Sequence, residues 1–382
     1  MSEARPRLHL LGDTLNLGGT EGQFTEVACG LDRSRWDLQV ACVRAEGPLR
    51  PRLERAGLQP WTVGPASFKS PALGRAILRL AAYLHRHEVG LVHCFDFYSN
   101  VIGVAAARLA RTPVVIASQR DMGDLRHPIQ RALHRTVLRL ASHILVNSDA
   151  IAARLGHLRG ARGDRLAVVR NGVDLVRFAP AGHASNGSGV TTVATLANLR
   201  PEKGLVEFVE AATIVLRGPR RARFVIWGEG PLREDLEALI RARGVMDRVE
   251  MRGATREPDN VLKQTQIFVL PSLSEASSNV VLEAMATGLP VVATRVGGMS
   301  GLVDDHRTGI LVPPRDPPAL AGAISKLLDA PALAAEMGAQ GRARALAEFS
   351  MDRMIERLDT FYCRALGRSP STPVPPRPVQ HA

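Results

Sequence analysis

Short apolar segments alternate with helical segments along most of the chain, and the alternation occurs in two separate series. The first series runs from "RLHLLG" to "HILVNS", and the second runs from "TTVATLA" to "PVVAT". This alternation is typical of βαβ units, in which parallel strands form a sheet that is covered by helices. The sequence therefore predicts an α/β fold with two doubly wound, Rossmann-like domains.

The domain boundaries follow from chain length and from the distribution of turn residues. A chain of 382 residues exceeds the usual size of one hydrophobic core. We expect one domain at 1–170 and another at 191–350, because turn residues concentrate at 171–190 and predict a linker. We expect a final helix at 351–366 that packs back on the first domain, and a disordered Pro-rich tail at 367–382. Doubly wound sheets bind ligands at the carboxyl ends of their strands, so we expect the domains to face one another across a ligand-binding cleft.

Composition and charge limit the classes of partner. The net charge of +12 comes mostly from arginine and suits phosphorylated ligands, anionic lipid or nucleic acid. Aromatic residues make up only 4% of the chain and no known nucleic-acid module is present, so we expect no nucleic acid. The four cysteines lack metal-ligand spacing and no D-x-D pair occurs, so we expect no metal site. The sequence shows neither a signal-peptide core nor an apolar run of about 18 residues, and we expect a cytoplasmic protein.

Two turns that follow strands carry residues suited to phosphate, and a third tight turn is expected near the same cleft edge. In "DTLNLGGTEGQ", Gly18 and Gly19 would let backbone N–H groups approach a phosphate at the start of a helix. "LANLRPEKGL" places Arg200 and Lys203 at a strand-to-helix junction, where two cations would stabilise a diphosphate leaving group. "IWGEGPLRE" ends a strand in a tight turn around Glu229. Taken singly, these segments are equally consistent with plain βα turns or a solvated charge cluster.

The stretch "LSEASSNVVLEAMATGLPVVAT" holds two carboxylates on either side of a helix start. Glu275 precedes a helix that Ser277 or Ser278 can cap. Glu283 lies in the second turn of that helix, whose N terminus offers N–H donors to a phosphate. One carboxylate could bind sugar hydroxyls and the other ribose hydroxyls, on either side of a diphosphate. The spacing alone also fits an amphipathic helix with an incidental acid.

Together these segments resemble the retaining glycosyltransferases of family four, which have the GT-B fold. The E-x7-E block is highly specific, and "GGTE", "NGVD", "LRPEKG" and "GEGPL" occur in the expected order within residues 8–350. The resemblance implies transfer of a sugar from a nucleotide diphosphate sugar to a hydroxyl acceptor, with retention of anomeric configuration and without a metal or other cofactor. It also implies a donor site in the C-terminal domain, an acceptor site in the N-terminal domain, and a role in cell-surface polysaccharide or glycolipid synthesis.

The resemblance assigns roles to single residues. Glu275 resembles the carboxylate near the donor sugar, Glu283 the ribose ligand and Lys203 the diphosphate cation. The other residues expected to contact the donor are Gly18, Gly19, Glu229, Ser278, Asn279 and Val280.

The chain departs from the family pattern at two places. Asn198 stands where relatives usually carry an arginine, so we expect Arg200 to supply the second cation. Gln119 and Arg120 stand where relatives often carry a histidine, which makes His93 a substitute candidate for the catalytic site. A buried structural role for His93 is the alternative.

The segment 128–141 has an amphipathic pattern with arginines opposite its apolar face. A basic stripe of this kind could rest on an anionic membrane, at its inner face, and bring the enzyme to a lipid-linked or oligosaccharide acceptor. A solvated helix face is the alternative. The stripe consists of Arg131, Arg135 and Arg139.

Two other functions remain open at the level of sequence. One is a catalytically silent sugar-nucleotide-binding or scaffold protein of the same fold, which the departures from the family pattern allow. The other is a nucleotide-sugar epimerase, against which the E-x7-E block and "LRPEKG" favour a transferase.

Overall fold

The computed structural model divides the chain into two compact units. Unit 1 comprises Met1–Asn171 together with Met351–Ala382, and unit 2 comprises Gly172–Ser350. Parts of the predicted linker and of the predicted tail lie outside the described residues. The described residues are 5–65, 71–124, 126–156, 163–180 and 189–369.

Unit 1 contains a parallel sheet of seven strands in the order β3-β2-β1-β4-β5-β6-β7. Its strands are β1 (Arg7–Gly12), β2 (Asp37–Cys42), β3 (Trp61–Thr62), β4 (Leu91–Cys94), β5 (Val114–Gln119), β6 (His143–Val146) and β7 (Leu166–Val168). Its first helices are α1 (Gly19–Gly30), α2 (Arg50–Arg55), α3 (Ala72–Arg86), α4 (Phe97–Leu109), α5 (Pro128–Leu140) and α6 (Asp149–Leu155). Strands β4 and β5 are buried along their whole length, as expected when helices cover both faces of a parallel sheet.

Unit 2 contains a parallel sheet of six strands in the order β10-β9-β8-β11-β12-β13. Its strands are β8 (Thr191–Leu196), β9 (Ala222–Trp227), β10 (Val249–Gly253), β11 (Ile267–Leu270), β12 (Val291–Thr294) and β13 (Gly309–Val312). Its helices are α7 (Leu205–Leu216), α8 (Arg233–Ala242), α9 (Pro258–Lys263), α10 (Asn279–Ala286), α11 (Met299–Leu302), α12 (Pro317–Asp329) and α13 (Pro331–Glu348).

The β11 segment shows how the core of unit 2 is divided. Ile267 and Val269 belong to one apolar cluster, whereas Phe268 and Leu270 belong to another. Because successive side chains of a strand point to opposite faces, the two clusters lie on the two faces of the sheet. Both faces are therefore packed, and the ends of the strands are left for polar residues.

The final helix, α14 (Met351–Ala365), belongs to unit 1. Its Leu358 and Tyr362 are buried in the same apolar cluster as residues of β1 and α1. The Trp36 indole N–H donates to Asp359 Oδ1 over 2.6 Å. The helix thus contributes both apolar area and a polar contact to unit 1.

Candidate functional site

Three loops of unit 2 converge on Glu275, and each follows the carboxyl end of a strand. The Leu273 N–H, in the loop after β11, donates to the carbonyl of Glu202 in the loop after β8, over 2.8 Å. The Gly298 N–H, in the loop after β12, donates to the carbonyl of Glu275 over 3.1 Å. These backbone contacts fix the loop that presents the Glu275 side chain.

Lys203 and Glu275, predicted from separate motifs, form an ion pair. Lys203 Nζ lies 2.6 Å from Glu275 Oε2. The two side chains are only 23% and 12% exposed, so their attraction is less screened by water than that of a surface pair. The structure therefore brings the predicted diphosphate cation and the predicted sugar carboxylate into direct contact.

The turn that carries Lys203 depends on Gly204. Gly204 has φ of +64°, in the left-handed region, and a Cβ there would clash with the carbonyl oxygen of Pro271. The missing side chain lets the turn after β8 approach the end of β11 closely. This approach places Lys203 beside Glu275.

Helix α10 begins where the sequence predicts it. The Ser278 hydroxyl caps the helix by accepting a hydrogen bond from the Val281 N–H over 3.4 Å. Asn279 and Val280 are its first two residues, and N–H groups at such positions have no acceptor within the helix. The N terminus of α10, four residues after Glu275, is therefore suited to an anionic ligand.

Glu283 lies in the second turn of α10 in a different electrostatic setting from Glu275. Burial raises the pKa of its carboxyl group to about 7, against the opposing attraction of Arg177. Arg177 is itself paired with Asp259 over 3.1 Å. A partly buried carboxyl group with a raised pKa gains from a ligand that donates hydrogen bonds to it, as a ribose hydroxyl would.

Two further predicted residues of unit 2 lie in turns. The Glu229 carbonyl accepts a hydrogen bond from the Leu199 N–H over 2.9 Å, and its carboxylate pairs with Arg233 over 2.8 Å. Arg200 is exposed, as is Asn198 two positions earlier. Whether Arg200 contacts a diphosphate stays a prediction.

In unit 1, Gly18 is the N-cap of α1 and Gly19 is its first residue. A Cβ on Gly18 would clash with the carboxylate of Glu21, which also accepts a hydrogen bond from Thr14 Oγ1 over 3.1 Å. The start of α1 therefore already has a carboxylate of the protein beside it. The predicted phosphate contact of Gly18 and Gly19 would share this space with Glu21.

His93 is fully buried in unit 1, and both of its ring nitrogens are engaged. Nδ1 lies 2.6 Å from the Tyr362 hydroxyl and Nε2 lies 2.7 Å from Ser118 Oγ. Burial, aided by Arg120, holds the pKa of His93 well below its usual value. This geometry describes a neutral histidine that links β4 to β5 and α14, and we do not include it in the proposed catalytic site.

Sequence reasoning missed a group of carboxylates at the ends of β1, β4 and β5. Asp13 accepts hydrogen bonds from the Tyr98 and Ser99 N–H groups, and Asp96 accepts one from the Phe97 N–H. Burial raises the pKa of Asp13, and burial with repulsion from Asp13 raises that of Asp96 to about 7. Their position in the sequence could have identified them, because Asp13 and Asp96 each follow a strand within two residues.

Asp121 follows β5 at the same edge of the sheet. Partial desolvation raises the pKa of Asp121, whose side chain is still 54% exposed, although Arg126 lies only 2.8 Å from its Oδ1. Asp121 also contributes to the repulsion that raises the pKa of Asp96.

Helix α5 shows an exposed face of mixed character. Val137 is buried, whereas Leu133 and Leu140 of the predicted apolar face are 42% and 48% exposed. The helix therefore offers solvent both apolar and basic residues. Its exposed basic residues include Arg131, Arg135 and Arg139.

Within the described ranges, no group of three or more His, Cys, Asp or Glu side chains is placed to hold a metal ion. None of the helices in these ranges is both long enough and apolar enough to cross a membrane.

Comparison with known proteins gives consistent matches. The model of "Glycosyltransferase Family 4" matches residues 17–177, and that of "Glycosyl transferases group 1" matches residues 190–330. A D-inositol 3-phosphate glycosyltransferase of Acidothermus cellulolyticus is 32% identical over 324 residues, covering 77% of this chain and 71% of the relative.

A more distant relative and a solved structure extend this likeness. The UDP-Gal:α-D-GlcNAc-diphosphoundecaprenol α-1,3-galactosyltransferase of Escherichia coli is 24% identical, over 87% of this chain and 90% of that protein. The crystal structure of Anabaena HepE with UDP-glucose superposes with a TM-score of 0.81 at 20% identity, covering 94% of this chain and 99% of that one. At that identity the superposition shows the fold alone, which is GT-B.

Proposed function

The chain is a glycosyltransferase of family 4, and from that premise we propose a retaining, metal-independent transfer to a hydroxyl acceptor. The donor is a nucleotide diphosphate sugar. The observation that carries the proposal is the contact of Lys203 with Glu275, four residues before the capped N terminus of α10. This arrangement combines a cation and helix N–H groups for a diphosphate with a carboxylate for sugar hydroxyls.

In the proposed reaction, the bond between the anomeric carbon and the diphosphate oxygen breaks, and the diphosphate takes the electron pair. Lys203 and the N terminus of α10 stabilise the charge that builds on the leaving oxygen. The acceptor oxygen attacks from the face that the diphosphate leaves, and its proton passes to the departing phosphate. Glu275 orients the sugar through its hydroxyls, and Glu283 accepts hydrogen bonds from the ribose.

We propose unit 1 as the acceptor-binding part, with a lipid-linked acceptor. The E. coli relative is named for an acceptor on diphosphoundecaprenol, which supports this choice. The exposed arginines and leucines of α5 suit the surface of an anionic membrane, in which basic residues contact headgroups and apolar residues enter the interface.

The donor assignment is tested by a thermal-shift panel of nucleoside diphosphates and their sugars, beginning with UDP and UDP-glucose. A nucleotide at 100 times its Kd should stabilise the wild type by about 2.7 kcal/mol. The shift should weaken in Glu283→Ala and persist in Glu356→Ala, which removes an exposed carboxylate of α14. No shift with any nucleotide, from folded protein, would contradict the donor site.

The reaction itself is tested with the nucleotide sugar that gives the largest shift. Release of nucleotide with an α-linked product from an α-linked donor supports retaining transfer, and activity in excess EDTA supports metal independence. Binding without turnover identifies a silent binding protein. Conversion of the donor into its epimer identifies an epimerase.

Membrane contact is tested by sedimentation with phosphatidylcholine vesicles that contain or lack phosphatidylglycerol. Replacing the three α5 arginines with glutamine should weaken binding to anionic vesicles at least about tenfold, because each basic residue contributes about 1 kcal/mol. Equal loss in a control triple variant would contradict a specific role of α5. The control replaces three exposed arginines of unit 2: Arg217, Arg221 and Arg241.

A further inference from the structure

The loop that presents Glu275 receives support from the neighbouring strand through one side chain. Thr294, the last residue of β12, is only 3% exposed, and its hydroxyl donates to the carbonyl of Ser272. The Ser272 hydroxyl in turn lies 3.4 Å from Glu275 Oε2. Thr294 thus holds the backbone of Ser272, and the Ser272 side chain contacts the Glu275 carboxylate.

The end of β11 explains why this support is needed. Strand β11 pairs with β12 through Leu270 and Ala293, and the chain leaves the ladder at Pro271, which has no N–H group. The Ser272 carbonyl therefore lies beyond the regular ladder. Ser272 is fully buried, and a buried carbonyl without a partner is unfavourable, so the Thr294 hydroxyl takes the place of a ladder donor.

The Ser272 hydroxyl and Lys203 contact the same carboxylate oxygen of Glu275. Lys203 Nζ lies 2.6 Å from Oε2, and Ser272 Oγ lies 3.4 Å from the same atom. Both contacts hold Oε2, and the other carboxylate oxygen is left for the hydroxyls of a donor sugar.

We propose that Thr294 is a positioning residue of the transfer reaction, which acts through Ser272 to hold Glu275 in its reactive orientation. The proposal rests on the proposed function of Glu275. A small displacement of a positioned group can lower a rate strongly without weakening ground-state binding. The effect should therefore fall on kcat rather than on nucleotide affinity.

The experiment compares Thr294→Val with Thr294→Ser. Valine keeps the shape of threonine but removes the hydroxyl, whereas serine keeps the hydroxyl and removes a methyl group. Both should lower the melting temperature, so stability alone cannot produce a difference in rate between them. The donor is the nucleotide sugar that gives the largest thermal shift, with UDP-glucose tried first, and water is the acceptor. Thr294→Val should lower kcat about tenfold with an unchanged affinity for the nucleoside diphosphate by calorimetry, and Thr294→Ser should retain kcat within about twofold.

A second measurement needs no donor. Hydrogen exchange of the ligand-free protein should show faster exchange of the Leu273 and Ser274 amides in Thr294→Val than in Thr294→Ser. Wild-type kcat in Thr294→Val, equal losses in both variants, or unchanged exchange would each overturn the positioning role. If the wild type turns over no nucleotide sugar, the proposed function fails, and the exchange arm still decides whether Thr294 holds the Glu275 loop.

Discussion

The two units place carboxyl groups at the carboxyl ends of their strands in different electrostatic settings. In unit 2, Glu275 is paired with Lys203. In unit 1, Asp96 is repelled by both Asp13 and Asp121, and the pKa values of all three carboxyl groups are raised. An ion pair favours the charged form of a carboxylate, whereas burial and repulsion between neighbouring carboxylates favour the protonated form, as the pKa of about 7 for Asp96 shows.

The difference fits different tasks. A charged carboxylate beside a lysine suits a site that meets a diphosphate and sugar hydroxyls, because each partner finds a group of opposite charge or an acceptor. In unit 1, Asp13 and Asp96 both accept hydrogen bonds from the first turn of α4, so they also stabilise that helix. Asp13 and Asp96 therefore combine a structural role with raised pKa values, and that of Asp96 reaches about 7.

The largest expected effect follows from breaking the pair in unit 2. Lys203→Met and Glu275→Gln should each lower kcat about 100-fold to 1000-fold, the range for loss of a group that stabilises charge in the transition state. Steady-state turnover of the nucleotide sugar measures this effect. The control is Lys326→Met, which removes an exposed lysine of α12 and should leave kcat unchanged.

The double variant sharpens this prediction. Because Lys203 and Glu275 are in contact, their effects should not add, and the combined loss should be smaller than the product of the two single losses. If the loss in the double variant equals the product of the two single losses, Lys203 and Glu275 act independently. Their pairing would then have no role in the reaction.

The second effect concerns Glu283, the carboxyl group of unit 2 whose pKa is raised to about 7. The native state then binds a proton that the unfolded state releases between about pH 4.5 and 7, so this group lowers stability as pH rises through that range. Glu283→Gln should be about 2 kcal/mol more stable than the wild type at pH 8, and the difference should vanish near pH 4.5. Denaturant unfolding at the two pH values measures it. A difference that does not change with pH would contradict the raised pKa.

Much of unit 2 could be predicted from the sequence because its signals are local. The apolar runs predicted β8, β9, β11 and β12 but not β10 and β13, and the Ser278 cap and the E-x7-E block identified the start of α10. The contact of Lys203 with Glu275 spans 72 residues, and it forms because parallel strands end at the same edge of the sheet. The hydrogen bond from Thr294 to Ser272 could not be predicted from the sequence, because a buried hydroxyl at the end of a strand has no characteristic spacing.

Unit 1 was less predictable at the level of single side chains. His93 could be a core residue or a ligand from the sequence, and only its contacts with Tyr362 and Ser118 show that both of its nitrogens are engaged. The partner Tyr362 belongs to a helix 269 residues further along the chain. Asp96 lies in none of the quoted motifs, and Asp13 begins "DTLNLGGTEGQ" but was passed over in favour of its glycines, although both carboxyls follow a strand.

The smallest expected effect tests the crowding in unit 1. Asp96→Asn keeps a side-chain oxygen that can cap α4 and removes the charge that is repelled by Asp13 and Asp121. Because the pKa of Asp96 is raised to about 7, its charge lowers stability as pH rises from about 4 to 7, and the variant should be about 1 kcal/mol more stable than the wild type at pH 8. The gain should be smaller than that of Glu283→Gln, because the charged form of Asp96 also has favourable contacts with the Phe97 N–H and with Arg126, which the variant weakens. Denaturant unfolding at pH 5 and pH 8 checks the sign of the stability change and whether it is smaller than that of Glu283→Gln. A loss of stability at pH 8 would show that the charged form of Asp96 stabilises α4 as a cap by more than its neighbours destabilise it.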